Sequence, residues 1–362
     1  ISGRFYDGRS TAILEEWARA LKGAGIKEVR GDIVADDTRF DRQYVHPNWP
    51  KDQLSRWYCA PVSGLSLNDN CVELTVLSQG DGKAKVLLEP DTGYVKVFNS
   101  CRVGNSKKGS KLVVRKKPGS NDILIKGEVS PKRLPLKYFI AMDNPPHFLA
   151  SVFKEVLEQK DITVRGSARL IDERDENSPW PLVEVSRTTS SMMQSVTVAN
   201  TRSQNFYAEQ ILKTLGAELK GEGSFRAGLE VIEELLGELG YTPKDYQIAD
   251  GSGLSRDNRF SPKMITDLLS FMYLHNFSEA FLTSLPLSGT NGSLQQRLTK
   301  EPYKGRVRAK TGYLSRVSAL SGYVDSLGGK PLAFSIIMND FKTSPAEIKR
   351  LQDSMCQVLV RY

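Results

Sequence analysis

The chain has 362 residues, a length that predicts more than one domain, because single hydrophobic cores seldom grow past roughly 250–300 residues. Its 40% hydrophobic and 25% charged residues exclude a largely disordered protein, and it contains no apolar run of about eighteen residues that would form a transmembrane helix. The net charge of +8 is compatible with nucleic acid, an anionic membrane surface or an anionic polymer as a partner.

The densest basic segment does not favour nucleic acid among these partners. Apolar Leu112, Val113 and Val114 stand between its charges, a pattern typical of a hairpin with one solvated edge. We therefore predict no nucleic-acid partner. The basic residues concerned are Lys107, Lys108, Lys111, Arg115, Lys116 and Lys117.

Cysteine and histidine usage predicts neither a metal site nor a cofactor. The four cysteines form no CxxC pair and the three histidines are scattered, so no set of zinc ligands is present. Cys71 and Cys101 lie in strand-like sequence and would be the better pair for a disulfide in an exported protein. Buried free thiols are an equally good interpretation.

Two segments precede the last part of the chain. Residues 11–22 carry apolar side chains at helical spacing and are followed by a turn and a strand, which predicts a small α/β domain over residues 1–60. Short β-rich runs separated by Gly, Asp, Asn and Ser then predict an antiparallel β domain over residues 61–145. The double proline after Asn144 marks its end, because it can begin a helix but cannot lie inside one.

Residues 146–362 mix helices and strands without regular βα alternation, which predicts an α+β fold and not a doubly wound nucleotide-binding sheet. Helices are predicted over 148–159, 206–215, 225–239 and 262–273, with a last helix from 346. Strands are predicted at TVRGSARLI (163–171), LVEVSR (182–187), RVRAKT (306–311) and PLAFSIIMND (331–340).

Several catalytic motifs are absent. The glycines at 251 and 253 and those at 104 and 109 match neither the GxGxxG pattern nor a P-loop and are interpreted as turns. No GxSxG elbow is present, and a Ser-His-Asp triad has little support from three scattered histidines. If the protein is a serine hydrolase, a lysine must transfer the proton.

Two triplets provide such a lysine. Lys310-Thr311-Gly312 ends a predicted strand, and Ser203-Gln204-Asn205 stands directly before a predicted helix; in this order they match the KTG and SxN elements of penicillin-interacting serine enzymes. A cation and a hydroxyl suit a peptide that ends in a carboxylate, and Gly312 leaves the strand edge open. For Ser203 and Asn205, helix capping remains an equally good interpretation.

The resemblance extends beyond the triplets. Nearly the whole chain resembles the D-Ala-D-Ala carboxypeptidase/endopeptidase family of low-molecular-mass penicillin-binding proteins, the type with two domains inserted into a transpeptidase-like domain. The segments that carry it are DDTRFD (36–41), CAPVSGLSLNDN (59–70), SQNFYAEQILKTLG (203–216), DGSGLSRDN (250–258), SLPLSGTNGSL (284–294) and AKTGYLSRVSALSGYV (309–324).

The resemblance implies a multi-domain α+β fold. Residues 146–362 would form the C-terminal part of a β-lactamase-like transpeptidase domain, an antiparallel sheet flanked by helices, and the α/β and β-rich domains would be insertions. It further implies a periplasmic or otherwise exported enzyme that acts on peptidoglycan stem peptides and is acylated by β-lactam antibiotics. Its alternative is a cell-wall-binding scaffold without catalysis.

The resemblance also implies the site residues. Ser203 and Lys310 would aid proton transfer, Asn205 would orient the substrate, Thr311 would hold the terminal carboxylate, and the Tyr313 N–H would contribute to an oxyanion hole beside Gly312. Two departures are Gln204 in the middle of SxN, at a variable position, and Tyr313, which is bulky enough to narrow the cleft.

The SxxK nucleophile of such enzymes is expected upstream of Ile1, so the sequence is interpreted as a fragment or a mature form. One SxxK string is present, from Ser151 to Lys154, in the right order before SxN and KTG. It lies in an amphipathic helical pattern that predicts simple packing, so Ser151 is the weaker candidate for the nucleophile.

Overall fold

The computed structural model describes residues 8–104, 111–176 and 181–362. The chain divides into two compact units, residues 1–189 and 190–362. Lys107 and Lys108 of the basic segment lie outside the described residues.

The first unit contains an α/β part built from both of its ends. Helix α1 (Ala12–Gly23) precedes strands β1 (Glu28–Val29) and β2 (Ile33–Ala35), which pair in parallel with β9 (Thr163–Val164) and β10 (Ala168–Leu170). Helix α2 (Pro145–Gln159) packs on α1, where the Trp17 and Phe153 rings meet edge to face at 5.6 Å.

This arrangement differs from the domain boundary expected at residue 145. The segment after that residue completes the α/β part, since β1 and β2 find their parallel partners only in β9 and β10. The predicted strand over 163–171 is accordingly two short strands. They are separated at Gly166, where a Cβ atom would lie 2.3 Å from the Gly31 carbonyl oxygen. The division into residues 1–60, 61–145 and 146–362 otherwise stays a prediction.

The β-rich part of the first unit consists of two three-stranded sheets, with strand orders β4-β3-β8 and β5-β7-β6. The first is antiparallel, as expected, but β5 pairs in parallel with β7 in the second. The expectation of a wholly antiparallel domain was therefore wrong, because the β6–β7 hairpin inserts β7 between β5 and β6. The strands are β3 (Cys71–Ser78), β4 (Ala84–Glu89), β5 (Val97–Val103), β6 (Lys111–Lys116), β7 (Ile123–Val129) and β8 (Leu136–Ala141).

The cysteines and the described part of the basic segment have clear positions. None of the four cysteines forms a disulfide in this structure, Cys71 and Cys101 included, and all four are buried. The basic strand β6 is an edge strand, as predicted. Its last residue, Lys116, is an exception to the solvated edge, because its side chain is buried and forms an ion pair with Asp143.

The second unit is a three-stranded antiparallel sheet with helices. The strands, in the order β11-β12-β13, are β11 (Val307–Leu314), β12 (Val317–Asp325) and β13 (Pro331–Asn339). The helices are α4 (Met192–Arg202), α5 (Asn205–Leu219), α6 (Phe225–Glu238), α7 (Pro262–Leu274), α8 (Ser278–Ser284) and α9 (Pro345–Arg361), and a short helix α3 (Glu173–Glu176) belongs to the first unit. Four of the predicted helices (α5, α6, α7 and α9) and two of the predicted strands (β11 and β13) are confirmed in this unit, apart from small shifts of their ends, and the fifth predicted helix is α2 of the first unit.

One predicted strand is wrong. Residues 181–190 adopt no regular structure, and Leu182 and Val183 are largely exposed. Their apolar alternation suggested a half-buried strand, but no described strand offers a pairing partner. In the described ranges, no helix is long and apolar enough to cross a membrane, and no group of three or more metal-ligating side chains occurs.

Candidate active site

Ser203 lies at the joint between α4 and α5 in a backbone conformation that is unusual for its residue type. Its φ is +54°, in the left-handed region, which side chains with a Cβ atom seldom adopt. It is the C-terminal cap residue of α4, and the N-cap of α5 is Gln204, whose side chain makes no capping bond. Ser203 is therefore not the N-cap of α5, and its hydroxyl is available for another partner.

That partner is Lys310 on β11. The Lys310 Nζ atom donates hydrogen bonds to the Ser203 Oγ atom at 2.6 Å and to the Thr311 carbonyl oxygen at 2.7 Å. Alternation along the strand buries Val307 and Ala309 in the core and leaves the Lys310 side chain on the opposite face. Burial there lowers the pKa of Lys310 to about 8, because desolvation disfavours the ammonium form.

Thr311 has a hydroxyl partner that the sequence analysis did not single out. Its Oγ1 atom donates to the Oγ atom of Ser293 at 3.0 Å. The preceding Gly292 has a φ of +56°, and a Cβ atom on it would lie 2.6 Å from the Thr201 carbonyl oxygen at the end of α4. Close packing on α4 thus brings Ser293 to the site. The signal in the sequence is the segment SLPLSGTNGSL, which carries part of the family resemblance but does not by itself indicate a role for this serine.

The KTG strand has an open edge beside these groups. β12 pairs with one side of β11, and no described strand pairs with the other. Only its start is occupied there, by a bridge between Arg308 and Leu287. Beyond it Gly312 and Tyr313 are exposed, the latter to 56%. An extended peptide can add to such an edge through backbone hydrogen bonds.

The second unit therefore brings together most of the predicted site. Ser203, Lys310 and Thr311 lie in a chain of hydrogen bonds, and Asn205 is the first residue of α5, half-buried two positions after Ser203. The arrangement offers a hydroxyl and an amine in direct contact, suited to proton transfer, beside a hydroxyl and an open strand edge suited to a peptide terminus.

The Ser151–Lys154 string has a different environment. It lies on α2 in the first unit, where Val152 is buried. The Lys154 Nζ atom donates to the Gly166 carbonyl oxygen at 2.7 Å and is 4.0 Å from Glu158 Oε1. Its lysine is thus engaged in holding α2 against the strand connection.

Comparison with known proteins identifies the family. The model of the D-Ala-D-Ala carboxypeptidase 3 (S13) family matches residues 9–362. The chain belongs to this family. Among relatives of this S13 chain, a D-alanyl-D-alanine carboxypeptidase from Actinomadura sp. (strain R39) is 31% identical over 96% of the chain. The D-alanyl-D-alanine carboxypeptidase DacB from Haemophilus influenzae is 24% identical over 93% of it. The S13 chain spans 66% of the first relative's length and 71% of the second's.

Solved structures agree on the fold. The structure of penicillin binding protein 4 (dacB) from Haemophilus influenzae matches 96% of the S13 chain and 79% of its own chain, with a TM-score of 0.80 and 22% sequence identity. The structure of the same protein complexed with a β-lactam matches 98% of the S13 chain and 79% of its own chain, with a TM-score of 0.73 and 21% sequence identity. The predicted family and the multi-domain α+β, β-lactamase-like fold are confirmed.

Proposed function

We propose that this S13 protein is a serine-type D-Ala-D-Ala carboxypeptidase that acts on peptidoglycan stem peptides through an acyl-enzyme. Cleavage of D-Ala cross-links would proceed through the same intermediate. The observation that supports it most strongly is the 2.6 Å hydrogen bond between Lys310 and Ser203, which joins the KTG and SxN elements beside an open strand edge.

Formation of the acyl-enzyme needs two proton transfers. A nucleophilic serine attacks the carbonyl carbon of the penultimate D-Ala, and its hydroxyl proton passes to a base as the new C–O bond forms. The C–N bond to the terminal D-Ala then breaks, and the leaving nitrogen takes a proton delivered through the Ser203 hydroxyl. Water hydrolyses the ester and restores the serine. A Lys310 with a pKa of about 8 exchanges protons readily near neutral pH and resupplies Ser203.

The other site residues would position the substrate. Thr311 would donate its hydroxyl to the terminal carboxylate, and Asn205 would bind an amide of the peptide. Gly312 keeps the edge of β11 free for the peptide backbone. The Tyr313 N–H, with that of the nucleophile, would stabilise the oxyanion of the tetrahedral intermediate.

We place the nucleophile in an SxxK element upstream of this sequence. Its lysine would serve as the base in the attack. Ser151 is the alternative within the chain, but its motif lysine, Lys154, is bound to the Gly166 carbonyl at 2.7 Å and, among the residues that the structure describes, to no serine hydroxyl. An active SxxK element needs that lysine in contact with its serine.

The same site would react with β-lactams. Their carboxylate and strained amide resemble the peptide terminus, and a structure of penicillin binding protein 4 from Haemophilus influenzae holds a β-lactam. Because peptidoglycan lies outside the cytoplasmic membrane, the site of action would be the periplasm or another extracytoplasmic space.

Mass spectrometry tests the proposal. Intact masses are recorded before and after incubation with benzylpenicillin, for the 362-residue chain and for a form extended upstream through the SxxK element, and any adduct is located by peptide mapping. We expect one penicilloyl adduct on the upstream serine of the extended form and release of D-Ala from an N-acetylated peptide ending in D-Ala-D-Ala.

An adduct on Ser151 would place the nucleophile on α2. No adduct in either form, with binding to peptidoglycan intact, would favour the non-catalytic scaffold. The matched control is Ser224→Ala, a change in the second unit at the start of α6, where the serine caps the helix through the Ala227 N–H at 3.1 Å.

A further inference from the structure

Helix α5 contains a buried carboxylate that the proposed reaction does not use. Glu209 lies one turn after Asn205 and its side chain is fully buried. Its Oε2 atom accepts the Gly251 N–H at 3.1 Å and its Oε1 atom accepts the Ser252 N–H at 2.8 Å. One carboxylate thus binds two successive backbone amides of another segment.

These amides belong to residues 250–258, here called the 250–258 loop. Its backbone lies directly on α5: a Cβ atom on Gly251 would be 3.1 Å from the Ala208 carbonyl oxygen and 3.1 Å from the Leu212 Cβ atom. Only glycine permits this approach without a shift of the neighbouring atoms. The two hydrogen bonds to Glu209 therefore occur at a point of close packing.

The 250–258 loop is also braced internally, although it contains no helix or strand. The Asp250 carboxylate accepts the Gly253 N–H at 2.8 Å and the Ser255 N–H at 2.6 Å. The Asn258 side chain donates to Asp250 at 2.8 Å and accepts the Ala249 N–H at 2.8 Å. These hydrogen bonds hold the loop in one conformation, so fixing one end also places the other.

The far end of the loop reaches the KTG strand. The Arg256 Nη2 atom donates to the Ser315 carbonyl oxygen at 3.3 Å, and Ser315 lies in the turn that joins β11 to β12. The 250–258 loop therefore extends from the helix that begins with Asn205 to the end of the strand that carries Lys310 and Thr311.

Retaining a carboxylate at this position has an electrostatic cost. Burial, together with the nearby Asp250 carboxylate, raises the pKa of Glu209 to about 7, and the hydrogen bonds from Ser252 and Gly251 oppose this rise. On the same helix, one turn further, Lys213 is also fully buried, with its Nζ atom 4.4 Å from the centre of the Phe225 ring. At position 209, a neutral side chain would avoid the cost of burying a charge, but it would accept the two backbone N–H groups less strongly than the Glu209 carboxylate does.

We propose that Glu209 is a positioning residue that fixes the 250–258 loop as one wall of the cleft that receives the peptide. The inference rests on the proposed function. Glu209 contacts no substrate; it acts by holding the loop in register with Asn205 at one end and with the end of β11 at the other.

Hydrogen exchange tests the contact without catalysis. Deuterium uptake of peptides covering residues 250–258 is followed by mass spectrometry in the wild-type 362-residue chain and in two variants. Glu209→Gln keeps the shape and removes the charge, whereas Glu209→Asp keeps the charge and shortens its reach. Both variants should exchange these amides about tenfold faster than the wild type. Ser224→Ala is the control, because it removes the capping hydrogen bond at the start of α6, which involves no residue of the loop.

Acylation by benzylpenicillin in the upstream-extended form supplies the functional readout. Both Glu209 variants should lower the second-order acylation rate constant at least tenfold. Ser224→Ala should leave that rate constant within twofold of the wild-type value, even where it lowers the melting temperature as much as the Glu209 variants do or more. That comparison separates positioning from a general loss of stability.

Three results would overturn the proposal: wild-type exchange rates in both Glu209 variants, equal acceleration in Ser224→Ala, or a loosened loop with an unchanged acylation rate. A wild-type protein that no β-lactam acylates would instead count against the proposed function, since the exchange measurement detects the loop contact by itself.

Discussion

The Nζ atom of Lys310 and the Oγ atom of Ser203 are 2.6 Å apart, although 107 residues separate them in the chain. The contact requires two local features. Ser203 adopts a left-handed conformation between two helices, and Lys310 points away from the core face of β11. Strained residues of this kind persist where the surrounding structure determines them and are frequent at active sites.

Removing either partner should stop acylation while leaving the fold intact. Ser203→Ala and Lys310→Met in the upstream-extended protein are each expected to lower the acylation rate constant for benzylpenicillin by about 10²–10⁴, the range typical of a lost general acid–base group. Because the two act as one relay, the double variant should lose little more than either single variant. Fully additive losses would show that the two residues act independently.

The pH dependence of stability should reveal the buried amine. Because the pKa of Lys310 is lowered from 10.5 to about 8, the unfolded chain binds more protons than the folded chain between these values. The wild type is thus penalised below pH 8 and recovers as pH rises toward 10.5. The melting temperature of Lys310→Met, relative to wild type, should therefore be highest near pH 7 and fall as pH rises.

Lys263→Met is the control for that trend. Lys263 is exposed, and its ion pair with Asp267 at 2.5 Å raises its pKa. Its substitution should not show a relative advantage near pH 7. A flat difference for Lys310→Met over the same range would contradict the desolvated amine.

Thr311 should affect substrate binding more than the chemical step. Thr311→Val keeps the shape of the side chain and removes the hydroxyl that faces Ser293 at 3.0 Å. A hydrogen bond to a charged carboxylate contributes about 1.5–3 kcal/mol, so KM for a D-Ala-D-Ala peptide should rise at least tenfold. Ser293→Ala should raise KM less, because the Thr311 hydroxyl, which donates to Ser293 in this structure, is retained and can still donate to the carboxylate. Steady-state kinetics of D-Ala release measure both constants. A fall in kcat with an unchanged KM would contradict a role of Thr311 in substrate binding.

Gly292 offers a test of how the site is assembled. Gly292→Ala places a Cβ atom 2.6 Å from the Thr201 carbonyl oxygen at a φ of +56°, so it should displace Ser293 and the end of α4. Gly305→Ala is matched, with a φ of +72° and no atom within 4 Å of the new Cβ. Both substitutions carry a backbone cost of about 1–2 kcal/mol. In chemical unfolding, only Gly292→Ala should lower the free energy of unfolding by more than that. Equal losses would mean that the close approach is unimportant.

The sequence predicted the parts of the fold whose signals are local. Helix α9 was expected from its apolar spacing, and it begins at Pro345 after a capping box formed by Ser344 and Glu347. Helix α4 was missed because its sequence, MMQSVTVANTR, is rich in polar and β-branched residues, and only Val198 among them is buried. Its stability comes from packing on neighbours that lie elsewhere in the sequence.

Long-range pairing explains the remaining differences. The parallel pairing of β5 with β7 depends on where the β6–β7 hairpin inserts, which no residue of β5 specifies. Within the site, the SxN and KTG triplets were recognised because each is contiguous. Ser293 was not assigned a role, since its contact with Thr311 arises only when Gly292 packs against α4.

The buried Glu209 carboxyl should produce a pH trend of its own. Its folded pKa of about 7 lies above the ordinary value of 4.5, so the folded chain holds the proton more tightly than the unfolded chain. The stability it contributes is complete below pH 4.5 and is lost as pH rises through 7, by up to about 3 kcal/mol. Glu209→Gln removes the titration. Its unfolding free energy relative to wild type should therefore become more positive between pH 5 and pH 8 in urea titrations.

Glu347→Gln should show no such rise between pH 5 and pH 8 and serves as the control. The Ser344 N–H donates to the Glu347 carboxylate at 3.1 Å and, with the Ser344 hydroxyl, lowers the pKa of that exposed carboxyl. Its stabilisation is present above pH 4.5 and is lost as pH falls below that value, so the stability of this variant relative to wild type should decrease as pH rises toward 4.5 and stay level from pH 5 to pH 8. If both variants followed the same trend, the pH dependence would come from the protein's overall charge, and the 250–258 loop would have to be held by its packing on α5.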